Sequence, residues 1–197
     1  MKQFVWSIVL AGCLAMPLMA DDEIRLPAPQ KSGGMTLLEA LSQRKTTHRV
    51  QGAEPSLQQI ANVLWAANGI TRPDGKRTAP SAMNRQEIEI AVLTAQGLYE
   101  WDEEENELER VETTVDLSDQ LRGASMLLIF TYDDEDQSPE YAQVDCGFVG
   151  QNVYLYCASA GLGSRARGGW DQQKVIETLG LKESMIVVLG QTVGYCE

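Results

Sequence analysis

Between residues 71 and 84 the hydrophobic period of this chain changes from the spacing of helices to the alternation of strands, so its fold must combine both. Ahead of the change, Leu37, Leu38 and Leu41 share one helical face behind Thr36, with Glu39 placed to complete a capping box. A second helix is predicted after Pro55-Ser56, built on Leu57, Ile60, Ala61, Leu64 and Trp65, and it stops at Asn68-Gly69. The stretch from Thr71 to Asn84, rich in Gly, Pro and Ser, reads as an ordered loop. Beyond it, Ile88, Ile90 and Val92 alternate with Glu87 and Glu89 as in a half-buried strand. Leu98 to Trp101 and Leu108 to Val111 flank the acidic turn Asp102 to Asn106 and predict a β-hairpin. Met126 to Phe130 is continuously apolar, the pattern of a central strand. Tyr141 to Ala160 reads as a helix with Val149, Val153, Tyr156 and Ala160 in one stripe, and Gly147, Gly150 and Ala158 permit close backbone approach. Gly161-Leu162-Gly163 ends it, Asp171 to Leu179 is a short amphipathic helix, and Met185 to Leu189 is a last buried strand. The expected class is α+β, a central antiparallel sheet flanked by helices.

The N-terminus bears on compartment. Lys2, the apolar stretch Phe4 to Ala11, and Leu18-Met19-Ala20 before Asp21-Asp22-Glu23 form a secretory signal pattern. The apolar stretch is too short, and too interrupted by Gly12 and Pro17, for a permanent membrane helix. Residues 1–20 are therefore expected to be removed, residues 21–34 to form a loose lead, and residues 35–197 to form one domain in an exported, periplasmic protein. A competing reading takes Leu10-Ala11-Gly12-Cys13 as a bacterial lipoprotein box, with Cys13 lipidated and the protein membrane-anchored. Against it, the box lies very early and Leu14 to Ala20 stays apolar.

Loss of Lys2 with a leader that contains no acid would take the formal net charge from -12 to -13, which repels nucleic-acid backbones. Beyond the leader the cysteines are Cys146, Cys157 and Cys196. On one helix Cys146 and Cys157 are separated by roughly 16 Å at about 1.5 Å per residue, which excludes a disulfide between them. They read as small buried hydrophobes, and no Cys/His spacing suggests zinc. Asp133 to Asp136 lacks the alternating order of a calcium loop and reads as solvated. Gly161-Leu162-Gly163-Ser164-Arg165-Ala166 has the letters of a dinucleotide fingerprint, but a helix ends before it where a strand is required. The simpler reading is a helix C-cap.

Within this acidic chain, Arg44-Lys45-Thr46-Thr47-His48-Arg49 gathers cations, hydroxyls and the single histidine at a helix end. Such a run suits bidentate contacts to a phosphate, and a solvated basic turn is its alternative when it is taken alone. Read together with Leu64 to Arg72, Ala79 to Asn84, Gly147 to Asn152 and Arg167-Gly168-Gly169-Trp170-Asp171, it resembles the nitroreductase family of FMN flavoproteins. More narrowly, it resembles a short exported branch near the SagB-type dehydrogenases. The resemblance covers Met35 to Tyr195.

It implies a homodimer with FMN at the interface and the helix Gly147 to Ala160 in the dimer contact. Arg44, Thr46 and His48, with Lys45, would hold the flavin phosphate and ribityl chain. Pro80, Ser81, Ala82, Asn84 and Gln86 would approach the ring from the partner subunit. Gly168 and Gly169 would bring backbone N–H to flavin N5. His48 stands where Lys or Arg is usual. The basic C-terminal segment of typical members is not seen before Glu197, and Arg49, Arg165 or Arg167 is expected to substitute. The implied function is an FMN-dependent oxidoreductase, its flavin alternately reduced and reoxidised by small molecules. No side-chain acid or base is expected to be essential. NAD(P)H is the donor of cytoplasmic relatives. Two rivals are an exported flavin-binding or structural protein without turnover, and an acidic interaction domain without cofactor.

Overall fold

The computed structural model describes residues 23–114, 116–133, 138–168, 172–179 and 184–196. The leader and Cys13, the acidic stretch after Asp133, and Gly169 lie outside the described residues. Strands β1 (Glu23–Arg25), β2 (Glu89–Thr94), β3 (Leu98–Asp102), β4 (Glu107–Arg110), β5 (Met126–Asp133), β6 (Gly163–Arg167) and β7 (Met185–Gly194) form one antiparallel sheet in the order β1-β4-β3-β2-β5-β7-β6. The helices are α1 (Leu37–Gln43), α2 (Leu57–Asn68), α3 (Ser118–Leu121), α4 (Pro139–Ala160) and α5 (Gln172–Leu179).

The apolar run in β5 has a plain cause. Leu128 and Phe130 join the cluster containing Ile60, Val63 and Leu64 of α2 and Cys146, Val149 and Val153 of α4. Leu127 and Ile129 join a second cluster with Leu117, Leu121 and Val175 on the opposite face. A strand covered on both faces has no reason to alternate. Both N-terminal helices open with capping boxes, Thr36 with Glu39 and Ser56 with Gln59. The α4 helix ends at Gly161 in the left-handed conformation, φ 70°, as the C-cap reading requires.

Three expectations need correction. The loose lead is anchored: Glu23–Arg25 pair with β4, Leu26 is buried, and Gln30 N–H donates to Asn62 Oδ1 at 2.7 Å. The segment after Gly161-Leu162 is also a strand, β6, recruited by the open edge of β7, which itself runs on to Gly194. In the α4 stripe, Val149 and Val153 are buried, but Ala160 is exposed. Gly150 does allow close approach, since a Cβ there would lie 3.1 Å from Gln191 Oε1, whereas Gly147 faces open space. The apolar face that Leu37, Leu38 and Leu41 share on α1 lies outside the core, with Leu37 and Leu38 65% and 77% exposed and only Ala40 of the helix buried.

Candidate functional site

The basic run lies against the β6 edge. Arg44 caps α1, and Thr47 N–H donates to the Ser164 carbonyl at 2.9 Å. Val50 bridges Cys196, and Gln51 N–H reaches the Tyr195 carbonyl at 3.1 Å, so residues 44–51 are held between the edge strand and the C-terminal segment. Tyr154 of α4 ties the basic run to β6. Its hydroxyl accepts Ala166 N–H at 2.8 Å and lies 3.3 Å from Thr46 Oγ1, while the Arg44 guanidinium stands 5.5 Å from its ring centre.

Two cavities adjoin this arrangement. Lys45 and Thr47 line one of about 200 Å³ with Tyr154, Cys157, Ser164 and Cys196. His48 and Gly168 line the other, of about 170 Å³, with Arg49, Arg122, Arg165 and Arg167. The fold thus brings two of the sequence-predicted flavin segments into one cavity and adds Arg122, which sequence reasoning missed. Followed by Gly123, Arg122 reads locally as a turn residue, and it adopts the left-handed conformation with φ 49°. Tyr154 was equally hidden, inside a helix whose pattern looked like core.

Burial holds the Arg167 guanidinium below its usual pKa, and the nearby Arg122 and Arg165 push in the same direction. The Arg167 Nη1 donates to the Gln120 carbonyl at 2.7 Å. Burial pushes the Cys146 thiol up to about 12, and burial also raises Cys157, against a smaller opposing effect of its hydrogen bond to Ser164. Neither is a reactive thiolate.

Within one chain, Pro80 to Gln86 does not join the cavity of His48 and Gly168. Ala82 N–H donates to the buried Asp145 Oδ2 of α4 at 2.7 Å, and Gln86 N–H donates to Ser81 Oγ at 2.9 Å. Arg77 Nε donates to Gln86 Oε1 at 3.3 Å, and Arg77 also pairs with Glu103. Met83, Asn84 and Gln86 hold left-handed φ values of 54°, 55° and 58°. Each such non-glycine conformation costs about 1 kcal/mol or more and persists because its surroundings enforce it. The loop is therefore preset, with Met83 72% exposed at its tip.

The sequence profile of the nitroreductase family matches residues 41–195. A protein of Methanocaldococcus jannaschii named as a nitroreductase is 26% identical over 190 residues, covering 85% of this chain and 94% of that protein. A solved structure from Ralstonia eutropha JMP134, also named as a nitroreductase, matches with a TM-score of 0.80 at 30% identity, over 90% of each chain. Another, from Anabaena variabilis, shares the fold with a TM-score of 0.73 at 21% identity, over 89% of this chain and 42% of its own.

Proposed function

The chain belongs to the nitroreductase family, and from that premise we propose that it is an FMN-dependent oxidoreductase working as a homodimer in an exported compartment. The observation that carries this reading is the convergence of His48 and Gly168, distant in sequence, on one cationic cavity beside the Arg44–Tyr154–Thr46 group. The donor set fits FMN: two cations and a hydroxyl from Arg44, Lys45 and Thr46 suit a phosphate dianion, and Gly168 offers backbone without a side chain in the way. When bound, FMN supplies the redox chemistry, accepting electrons from a donor such as NAD(P)H and passing them to a small-molecule acceptor. The protein's own residues bind and orient it. Arg44, held over Tyr154, would hold the phosphate with Lys45 and Thr46, and His48 would meet the ribityl chain from the adjoining cavity.

The dimer reading is supported by apolar surface that one chain leaves open. Leu37, Leu38 and Leu41 of α1, Met83 of the preset loop, and Val144 and Phe148 of α4 are all exposed. A homodimer covers such surface and carries Pro80 to Gln86 towards the partner's flavin. Export is supported by the signal pattern of residues 1–20, and mass spectrometry of the processed chain tests it: a start near Asp21 is expected, and a lipid on Cys13 would overturn it. The flavin reading is tested by the visible absorbance of protein purified from its own compartment and by titration of the apo-protein. Flavin bound at one site per chain supports it; no binding at saturating FMN sinks it.

A further inference from the structure

We propose that the cavity between β6, β7 and the turn after α3 is a subsite for the anionic group of an aromatic electron acceptor, with Arg49, Arg122 and Arg165 holding a carboxylate or sulfonate beside the flavin ring. The inference rests on the FMN reading above and adds a substrate class to it.

The charge of the lining is the first argument. Arg49, Arg122, Arg165 and Arg167 share the cavity with His48, and no carboxylate lines it among the described residues. The chain carries 28 acidic residues against 16 Lys and Arg, so acids to neutralise these arginines are plentiful in sequence. Even so, Arg49, Arg122 and Arg165 form no ion pair among the described residues. A set of guanidiniums kept clear of carboxylates is arranged for an anion that comes and goes.

Position is the second argument. Arg44, Lys45 and Thr46, the residues suited to the flavin phosphate, gather around Tyr154 and in the neighbouring cavity. Arg49, Arg122 and Arg165, two of them the expected substitutes for a phosphate contact, lie instead at the end where His48 and Gly168 lie, more cations than an uncharged ring edge requires. Arg165 stands opposite Thr192 in the β6–β7 register, and Arg167, two residues on, shares its face. Arg122 enters from the other side on the α3 turn. Arg122 and Arg165 crowd Arg167, adding to the effect of burial in lowering its pKa, and a bound anion offsets that repulsion. The planar fork of an arginine matches the oxygens of a carboxylate or sulfonate.

The test compares two quinones. Protein loaded with FMN, its occupancy checked by absorbance, is reduced with dithionite and then reoxidised in stopped flow by neutral menadione or by a naphthoquinone sulfonate. In either reaction the quinone gains two electrons and two protons to become a hydroquinone, and the reduced flavin loses the same. The variants are Arg122→Gly, whose φ of 49° glycine adopts without strain, and Arg165→Gln at an exposed position. The ratio of the sulfonate rate to the menadione rate is expected to fall about tenfold or more in each, the scale of one charged hydrogen bond. An unchanged ratio in both variants overturns the proposal. So does loss of FMN with retention of riboflavin, because the arginines would then be holding the phosphate. Should the wild type bind no flavin, the functional reading fails separately, and equilibrium binding of the same two quinones to the flavin-free protein decides the subsite. A preference for the sulfonate that Arg122→Gly abolishes supports it; no preference overturns it.

Discussion

The hydroxyl of Tyr154 joins the edge strand to the basic run, accepting Ala166 N–H at 2.8 Å while lying 3.3 Å from Thr46 Oγ1. Its ring also holds Arg44 in place, so the guanidinium loses less freedom on meeting a phosphate. Arg44→Ala is expected to weaken FMN binding by about 1.5–3 kcal/mol, the range for a hydrogen bond to a charged group. Titration of the apo-protein measures this, and equal affinity in mutant and wild type would place the phosphate elsewhere. The cysteines give a second test at this scale. Cys146 and Cys157 are buried with raised thiol pKa values, whereas Cys196 is exposed. Iodoacetamide at neutral pH should alkylate Cys196 in the native protein and reach the other two only after denaturation. Rapid native labelling of Cys157, read by peptide mass spectrometry, would contradict its placement.

At the scale of elements, the β1-β4-β3 side of the sheet sets acids against one another. Glu100 of β3 stands directly opposite Glu109 of β4, which in turn faces Glu23 of β1. Burial raises the Glu100 pKa above its ordinary 4.5, and Glu109 raises it further. The folded chain therefore holds this proton at pH values where the unfolded chain has lost it. Stability from this group is fully present below about pH 4.5 and is lost as pH rises through the raised value. Glu100→Gln should accordingly stabilise the protein at neutral pH by about 0.2–1 kcal/mol, as expected for relief of a like-charge cross-strand pair. Urea unfolding of both proteins across this range is the measurement. An advantage for the variant that persists unchanged at pH 4 and below would show that the charge is not its cause.

For the whole molecule, the exposed apolar face of α1 is the surface that a second chain would cover. Leu38 is 77% exposed, so an acidic replacement there has little to disturb in the single chain. If α1 lies in a dimer interface, Leu38→Glu should raise the dimer dissociation constant at least about tenfold, the equivalent of one buried leucine. Sedimentation at several concentrations reads this directly. A wild type that sediments as a monomer throughout would remove the dimer reading, and with it the placement of Pro80 to Gln86 over a partner's flavin.

Sequence alone determined what local period and local chemistry can determine. The Thr36 and Glu39 pair marks a helix start, the uninterrupted Met126 to Phe130 run marks a strand covered on both faces, and Arg44 to Arg49 stands out against an acidic chain. Tertiary structure decided the rest. Ser164-Arg165-Ala166-Arg167 has no compelling strand pattern and becomes β6 because β7 offers an unpaired backbone edge, and Glu23–Arg25 becomes β1 through the edge of β4. Hydrophobic spacing placed Leu37, Leu38 and Leu41 on one face of α1 but could not tell a core from a surface that meets another chain. The cavity lies further from sequence still. His48, Arg122 and Arg165 come from a loop, a turn and an edge strand that meet only through the β5-β7-β6 order, and a one-dimensional period carries no information about which distant segments a sheet will bring side by side.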